Sequence, residues 1–554
     1  MTKQNKQNSI DSDLLRGRDF STRSAWDDAY TSFSVADAVA PLKVEDLKLL
    51  AMAAYLTGRE DEFLGAYERA YLAYCDAGMD RPAANCAFWL GLTLMFKGET
   101  GRATGWLSRC RRLVEDQEHD CVERGYLLVP LVEQHLAAKS TDLALSAAKE
   151  AAEAGERFGD ADLVVMARHQ QGRVLIQGGH VDEGLALLDD AMIGVTRGKL
   201  SPIVTGLVYC SVIDACQEVY AYGRSREWTA ALTDWCEAQP QMVTFTGRCL
   251  VHRAEIMQLS GKWQDAIVEA GLACERFTGS TAKQASASAL YQQAEVYRLQ
   301  GKFSAADEAY RNASQWGWEP QPGLALLRLA QGRYDLAVAA IRRSVGESSN
   351  PLHRAGLLPA GVEIMLEAGD IESAKNYSQE LDGIAGKFAS EAIVAMAAKA
   401  QGSVALAEGN AEAAFGSLRD AARIWQKIGA PYLAARVRVL LGQACRMVGD
   451  TEGGALELDA ARIVFAKLGA APDLARVDAL LRLSDTGPPD VLTRRQIQVL
   501  LLIAAGKTNK AIAAELRLSE KTVDRHVSNI FDRLDVPTRA AATAYAYANN
   551  MVKG

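Results

Sequence analysis

The stretch ALYQQAEVYRLQGKFSAADEAYRNAS, residues 289–314, decides how the rest of the chain is read. Apolar and small side chains recur every three or four positions on both sides of Gly301, the period of helices that each bury one face. Counting from that glycine, Ala294 lies seven before, Tyr297 four before, Ala306 five after, Tyr310 nine after and Ala313 twelve after. These offsets describe two antiparallel helices. Small residues let the helices touch, tyrosines fill the remaining gap, and the glycine takes the left-handed turn that a side chain resists.

The same turn recurs outward in both directions, at Gly58, Gly98, Gly179, Gly261, Gly301, Gly332, Gly369, Gly409 and Gly449, with weaker turns near Lys139 and Gly223. Successive spacings are 40, 41, 40, 44, 38, 40, 31, 37, 40 and 40 residues. A small residue follows the turn at Ala103, Ala144, Gly184, Ala266, Ala306, Ala337, Ala374, Ala414 and Gly454. This pattern resembles the tetratricopeptide repeat, although its period exceeds the usual ~34 residues. The resemblance implies an all-α fold, an α-solenoid of helical hairpins over residues 41–483, preceded by a leader and first helix at 1–40. The shortest interval contains QWGWEPQPG, residues 315–323, where Trp316, Trp318, Pro320 and Pro322 interrupt the helices. Two readings fit this break: a distorted turn packed over core, or an aromatic binding element inside a concave groove.

With 554 residues, 49% of them apolar, and a net charge of −8, disorder is excluded for the chain as a whole. The first twenty residues are too polar for a signal peptide, and no apolar run reaches membrane-spanning length, so a soluble cytoplasmic protein without a membrane partner is expected. Ten cysteines without a CxxC pair read as reduced, mostly buried thiols, with a redox-sensing role for one of Cys75, Cys86, Cys110 or Cys121 as the sharper alternative. The Asn312-Ala313-Ser314 sequon sits in a helical pattern of a chain without a secretory signal, which argues against glycosylation.

No chemistry-bearing constellation emerges. Gly506-Lys507-Thr508 looks like the end of a phosphate-binding loop, but the required earlier glycine is replaced by Leu501. No zinc spacing, nucleophile or acid–base pair is present, and no strand–helix alternation marks a phosphoacceptor domain. The expectation is a protein that is not an enzyme and needs no cofactor.

The densest breaker cluster, SDTGPPD at 484–490, reads as a linker. Beyond it, residues 490–554 carry ten basic side chains against six acidic ones, a net +4 that leaves −12 for the remainder. Four short helical patterns follow in 491–554. Thr493 and Gln496 spell a capping box, Gly506 stops the first helix, and Ser519 caps the third. On the third, Val523, Val527, Ile530 and Leu534 face a core, leaving Lys521, Arg525 and Ser528 central on the outer face, bordered by Asp524 and Asn529. That cationic face suits a recognition helix in a major groove: Arg525 toward guanine, Asn529 toward adenine, Ser528 toward either and Asp524 toward cytosine. Lys507, Asn509, Lys510 and Thr522, near helix starts, suit phosphate contacts.

The strings LT at 492–493, VL at 499–500, the G-x-T-N-K-x-I-A run at 506–513, S-x-K-T-V at 519–523, His526, Asn529-Ile530 and Arg539 together resemble the LuxR-type (GerE-like) helix-turn-helix domain. The resemblance implies promoter binding by a dimer that inserts the third helix and pairs through the fourth. By position, Asp524, Arg525 and Ser528 would read bases, Lys521, Thr522 and Asn509 would support phosphate contacts, and Ala541 and Tyr545 would lie near the dimer seam. The sequence departs from the family at Gln496, Gln498 and Ala511, where glutamates are usual, a loss of carboxylates that removes internal ion pairs. His526 reads equally as a structural histidine or a phosphate ligand. The whole resembles the large LuxR-family regulators that join tetratricopeptide-like repeats to this domain, without their ATPase. The function expected is a sequence-specific transcriptional regulator whose array senses a ligand or docks transcription machinery or a signalling protein. The competing reading is an interaction scaffold whose tail contacts protein rather than duplex DNA.

Overall fold

The computed structural model describes residues 3–115, 120–276, 282–485, 492–516 and 518–548, and within them every regular element is a helix. Twenty-five helices, α1 (Lys3–Thr22) through α25 (Ala471–Asp485), build the array. Four more, α26 (Arg494–Ala504), α27 (Asn509–Leu516), α28 (Glu520–Leu534) and α29 (Arg539–Ala548), build the carboxy-terminal module. Most of the 484–490 linker lies outside the described residues. No described helix is long and apolar enough to cross a membrane.

The hairpin at 289–314 forms as its spacing predicts. α15 (Ala282–Leu299) ends where Gly301 takes φ 78°. The Gly301 amide donates to the Arg298 carbonyl at 3.0 Å and the Lys302 amide to that of Tyr297 at 2.9 Å. This pair of bonds satisfies carbonyls that the helix end leaves open, and its left-handed residue costs glycine almost nothing. Lys302 then serves as the N-cap of α16 (Phe303–Gln315), so the whole turn occupies three residues, Gln300 to Lys302. Ala294, Ala306, Tyr310 and Ala313 are fully buried between the helices.

All nine turn glycines adopt positive φ, between 73° and 97°. The weaker turn at Lys139 has φ 57° and the same two backbone bonds. The turn expected near Gly223 lies three residues earlier, at Tyr220, also with φ 57°; Gly223 itself is inside α12 (Tyr222–Glu237). Placing the turn at Tyr220 replaces the uneven 44 and 38 spacings by 41 and 41. The short interval at 301–332 has a plain cause: α17 (Gly323–Ala330) is only eight residues long. The break before it packs inward, with the Trp318 ring 5.9 Å from that of Tyr291 and Pro320 buried, while Trp316 stays exposed.

Small residues after the turn bring backbones together. In α10 (Val181–Thr196), a Cβ on Gly184 would stand 2.6 Å from the Gly172 carbonyl oxygen of α9 (Ala161–Gly178). A comparable approach recurs in a later hairpin, where a Cβ on Gly454 would stand 2.9 Å from the Gly442 carbonyl oxygen, and such contacts fix the angle within a hairpin. The accumulated rotation curls the array until successive turns of its superhelix meet. Trp26 Nε1 donates to Gln239 Oε1 at 2.9 Å, Lys139 Nζ to Ser349 Oγ at 3.4 Å and Arg226 to the Ile428 carbonyl at 3.0 Å, pairs separated by 213, 210 and 202 residues. At forty-odd residues per hairpin, one superhelical turn therefore takes about five repeats.

Seven of the ten cysteines are buried and all are reduced. Burial pushes the Cys86 thiol up to about 11 and that of Cys110 to about 12, and also raises Cys121, which removes the thiolate a redox sensor needs. Cys75 is half-buried.

The close approach sets a test. Gly184→Val places methyl groups against backbone and is expected to destabilise the array by about 1–3 kcal/mol. Gly416→Ala, in α22 (Ala411–Ile428) with open space around its Cβ, is expected to stabilise by about 0.5–1 kcal/mol through helix propensity. Thermal melts followed by circular dichroism read both signs.

Candidate nucleic-acid interface

The module at 492–548 closes on its own core: Leu492, Val499, Leu500, Ile503, Ile512, Ala513, Val523, Val527, Ile530, Ala542 and Ala546. Its first helix starts with the reciprocal cap expected, the Gln496 amide donating to Thr493 Oγ1 at 3.2 Å and the Thr493 amide to Gln496 Oε1 at 2.9 Å. Gly506, at φ 76°, ends α26. Gly506-Lys507-Thr508 is thus the bend between α26 and α27, not a phosphate-binding loop. Ser519 caps α28 by accepting from the Thr522 amide at 3.1 Å, and its hydroxyl meets that of Thr522 at 2.6 Å.

α28 turns Val523, Val527 and Ile530 into the core, so its opposite face is open. Lys521, Thr522, Asp524, Arg525, Ser528 and Asn529 are all exposed there. Lys510, on the first turn of α27, is exposed as well. Lys510, Lys521, Arg525, Ser528 and Asn529 make no side-chain hydrogen bond within the described residues, which leaves their polar atoms available for an external partner.

The other sequence-selected residues have work inside the module. Lys507 pairs with Glu515. The Asn509 amide donates to Asp524 Oδ1 at 2.5 Å, while Asn509 Oδ1 accepts from Arg539 at 2.7 Å, and Arg539 also donates to the Lys507 carbonyl. Asn509 therefore ties the start of α27 to α28 on one side and to α29 on the other. Sequence reasoning quoted Arg539 only as part of a motif. A helical wheel shows which face a residue occupies but not which neighbouring helix supplies its partner.

Two of the three departures from the family pattern, Gln496 and Gln498, find partners. Gln496 is buried, and its Oε1 accepts from Arg533 at 3.1 Å in addition to closing the cap. Gln498 accepts from Arg495 at 2.8 Å, and Arg495 reaches the Leu516 carbonyl at the end of α27 at 2.7 Å. Both contacts are hydrogen bonds made by neutral amides. His526 is half-buried and makes no side-chain hydrogen bond among the described residues. On α29, Ala541 and Tyr545 are half-buried and Tyr547 is exposed. No group of three or more His, Cys, Asp or Glu suited to a metal occurs among the described residues.

Comparison with known proteins places this module. Residues 490–546 match the family model of bacterial regulatory proteins of the luxR family, and they form a LuxR-family helix-turn-helix domain. The transcriptional regulatory protein LiaR of Bacillus subtilis (strain 168) is 48% identical over 65 residues, 12% of this chain and 31% of that protein. The response regulator protein VraR of Staphylococcus aureus (strain NCTC 8325 / PS 47) is 42% identical over 64 residues, again 12% of this chain and 31% of its own length. The chain thus spans about a third of the curated relatives it matches. Among solved structures, the APC/C hetero-tetramer Cut9-Hcn1 aligns over 84% of this chain and 96% of its own, at 14% identity and TM-score 0.35. Rap protein complexed with competence and sporulation factor aligns over 69% of this chain and 99% of its own, at 14% identity and TM-score 0.31.

Gln496 serves the cap and Arg533 together, so its removal strands a backbone amide and a guanidinium contact. Gln496→Ala is expected to lower the module's stability by about 1–2 kcal/mol, read from urea unfolding. An unchanged unfolding midpoint would show that neither contact contributes.

Proposed function

We propose that this chain is a sequence-specific DNA-binding regulator of transcription. The observation that carries the reading is the open face of α28: a run of cationic and amide side chains without internal partners, on a helix whose other face is locked into a LuxR-type core. In this reading α28 enters the major groove by its N-terminal half, where the helix dipole favours approach to phosphates. Arg525 donates to guanine, Asn529 to adenine, Ser528 to either base edge, and Asp524 accepts from cytosine. Lys510, Lys521 and Thr522 hold phosphates, with Lys507 and Asn509 beside them at the α27 start.

The link between Asn509 and Asp524 gives those two residues a second role, aiming α28 relative to the phosphate-facing start of α27. Two copies pair through α29, around Ala541 and Tyr545, and so address both halves of a symmetric promoter site. The helical array supplies the input, by docking a signalling protein or part of the transcription machinery, or by taking up a ligand. The match to LiaR and VraR supports the DNA-binding part of this reading. The superhelical surface of the array supports the second part, because stacked hairpins present long curved faces to partners.

Binding of the 485–554 fragment to sheared genomic DNA tests the reading. Arg525→Ala is expected to cost about 1–3 kcal/mol and to relax base preference, whereas Lys521→Ala weakens all sequences alike and lowers the salt slope by about one. Retained affinity after Arg525→Ala and Ser528→Ala together would contradict the groove assignment.

Charge predicts a further difference. The +4 tail is attached to a −12 remainder, so the full chain is expected to bind non-specific duplex more weakly than the fragment at low ionic strength, with the gap closing as salt rises. Equal affinities at every salt concentration would contradict it.

A further inference from the structure

Near the carboxy-terminal end of the array, neighbouring helices line an open cavity of about 520 Å³. Its walls come from α19 (Pro351–Glu367), α21 (Glu391–Ala407), α23 (Pro431–Met447) and α25, together with Phe465 of α24 (Thr451–Leu468). Leu366, Met396, Leu440, Val477 and Leu480 make most of it apolar. One wall is charged. Arg436 donates to Glu363 at 2.7 Å and lies 3.8 Å from Asp473, Arg476 donates to Glu367 at 2.8 Å, and the Tyr432 hydroxyl donates to Asp473 at 2.9 Å. A second cavity of about 360 Å³ opens on the far side of this wall, at Arg298 and Tyr334.

Lys399 is the exception in this arrangement. Its ammonium is directed toward Glu363, but at 3.9 Å, beyond hydrogen-bond range, and Arg436 already occupies that carboxylate. Among the described residues Lys399 Nζ has no hydrogen-bond acceptor, and its side chain is only 20% exposed. Its ammonium keeps some contact with water, so its donors stay open to an acceptor that enters the cavity. Arg446, which donates to the Leu480 carbonyl at 2.8 Å, also lines the cavity. The charges facing Lys399 are Glu363 and Glu367 on α19, Arg436 and Arg446 on α23, and Asp473 and Arg476 on α25. Glu363 and Lys399 both shift down, which favours the charged form of the carboxyl and disfavours that of the amine. Burial alone would raise the Glu363 carboxyl, but Arg436 and Lys399 outweigh it and hold the group at about 2. Burial, with Arg436 close by, pushes Lys399 down to about 8.

We infer that this cavity is a binding site for a molecule bearing one carboxylate on an apolar chain, with the Lys399 ammonium as its counter-ion and the Leu366, Met396 and Leu440 wall as the seat of the chain. The inference deepens the reading of the array as the receiving part of a regulator, and rests on it for its biological meaning. Two sources share this chemistry: a free medium-chain carboxylic acid, or the carboxy terminus of an apolar peptide. Val477 and Leu480 belong to α25, the last helix before the linker, so an occupant touches the element that leads to the DNA-binding module.

Isothermal titration calorimetry on the full-length protein tests this with decanoate, decylamine and decanol, and with an acetylated Leu-Leu-Val peptide as free acid and as amide. The expected result is one-to-one binding of decanoate or of the free-acid peptide, at least tenfold tighter than the matching amine, alcohol or amide; the tighter of the two acids names the source. Lys399→Met should weaken acid binding at least tenfold and Lys399→Arg by less than threefold. Glu363 keeps its 2.7 Å partner Arg436 in both variants, so both are expected to fold. Affinity for the acid should be constant between about pH 6 and pH 8, where the probe is ionised, and fall above that as the lysine loses its proton. Equal binding of acid and neutral analogues to the wild-type protein, or no binding of either acid, overturns the inference without needing any variant. Duplex binding by the same preparation is measured separately: its loss would contradict the regulator reading, whereas the calorimetric preference for an acid decides the cavity.

Discussion

A residue forced into left-handed backbone at the end of a helix is the constraint from which this architecture follows. Each such turn closes one hairpin in two or three residues, leaves the paired helices antiparallel, and sets small residues across from one another. Backbone then meets backbone, as at Gly172 and Gly184, and the angle between helices has little room to vary. With that angle repeated about every forty residues, the array has to coil. The coil is tight enough for residues some two hundred positions apart to bond, which gives an array of local contacts a set of long-range ties that an open solenoid lacks.

Turn positions were legible because the physical demand and the residue type coincide: a positive φ selects glycine, and nine glycines mark nine turns. Where that coincidence fails, the sequence misleads. Tyr220 holds the same backbone geometry without being glycine, and the glycine that the pattern points to, Gly223, is an ordinary helical residue three positions on. Coiling was not legible at all. It is the sum of small rotations between hairpins, and no single residue carries it.

The carboxy-terminal module shows the same division. Its cap at Thr493 and Gln496, the stop at Gly506 and the buried stripe on α28 all follow from local spacing, and all are present. Partners that cross between helices do not follow from spacing. Asn509 reaching Asp524 and Arg539, and Arg533 reaching Gln496, depend on how α26 to α29 are packed. Gln496, at a position where the family usually has a glutamate, serves with a neutral amide: its oxygen accepts the Arg533 guanidinium in a buried place where desolvating a charge is costly. The lysine in the array cavity was invisible for the same reason. In sequence Lys399 is one polar residue on an alanine-rich helix, and only the curl of the superhelix brings the three other walls around it.

Helix α28 presents donors outward that nothing within the described residues satisfies, and the account stands or falls on whether duplex DNA satisfies them. Selection of bound fragments from sheared genomic DNA by the purified full-length protein, followed by sequencing, measures this most directly. The account predicts enrichment of a short sequence shared among the bound fragments and repeated with twofold symmetry. Recovery of fragments in proportion to the input, with no common sequence, would contradict it.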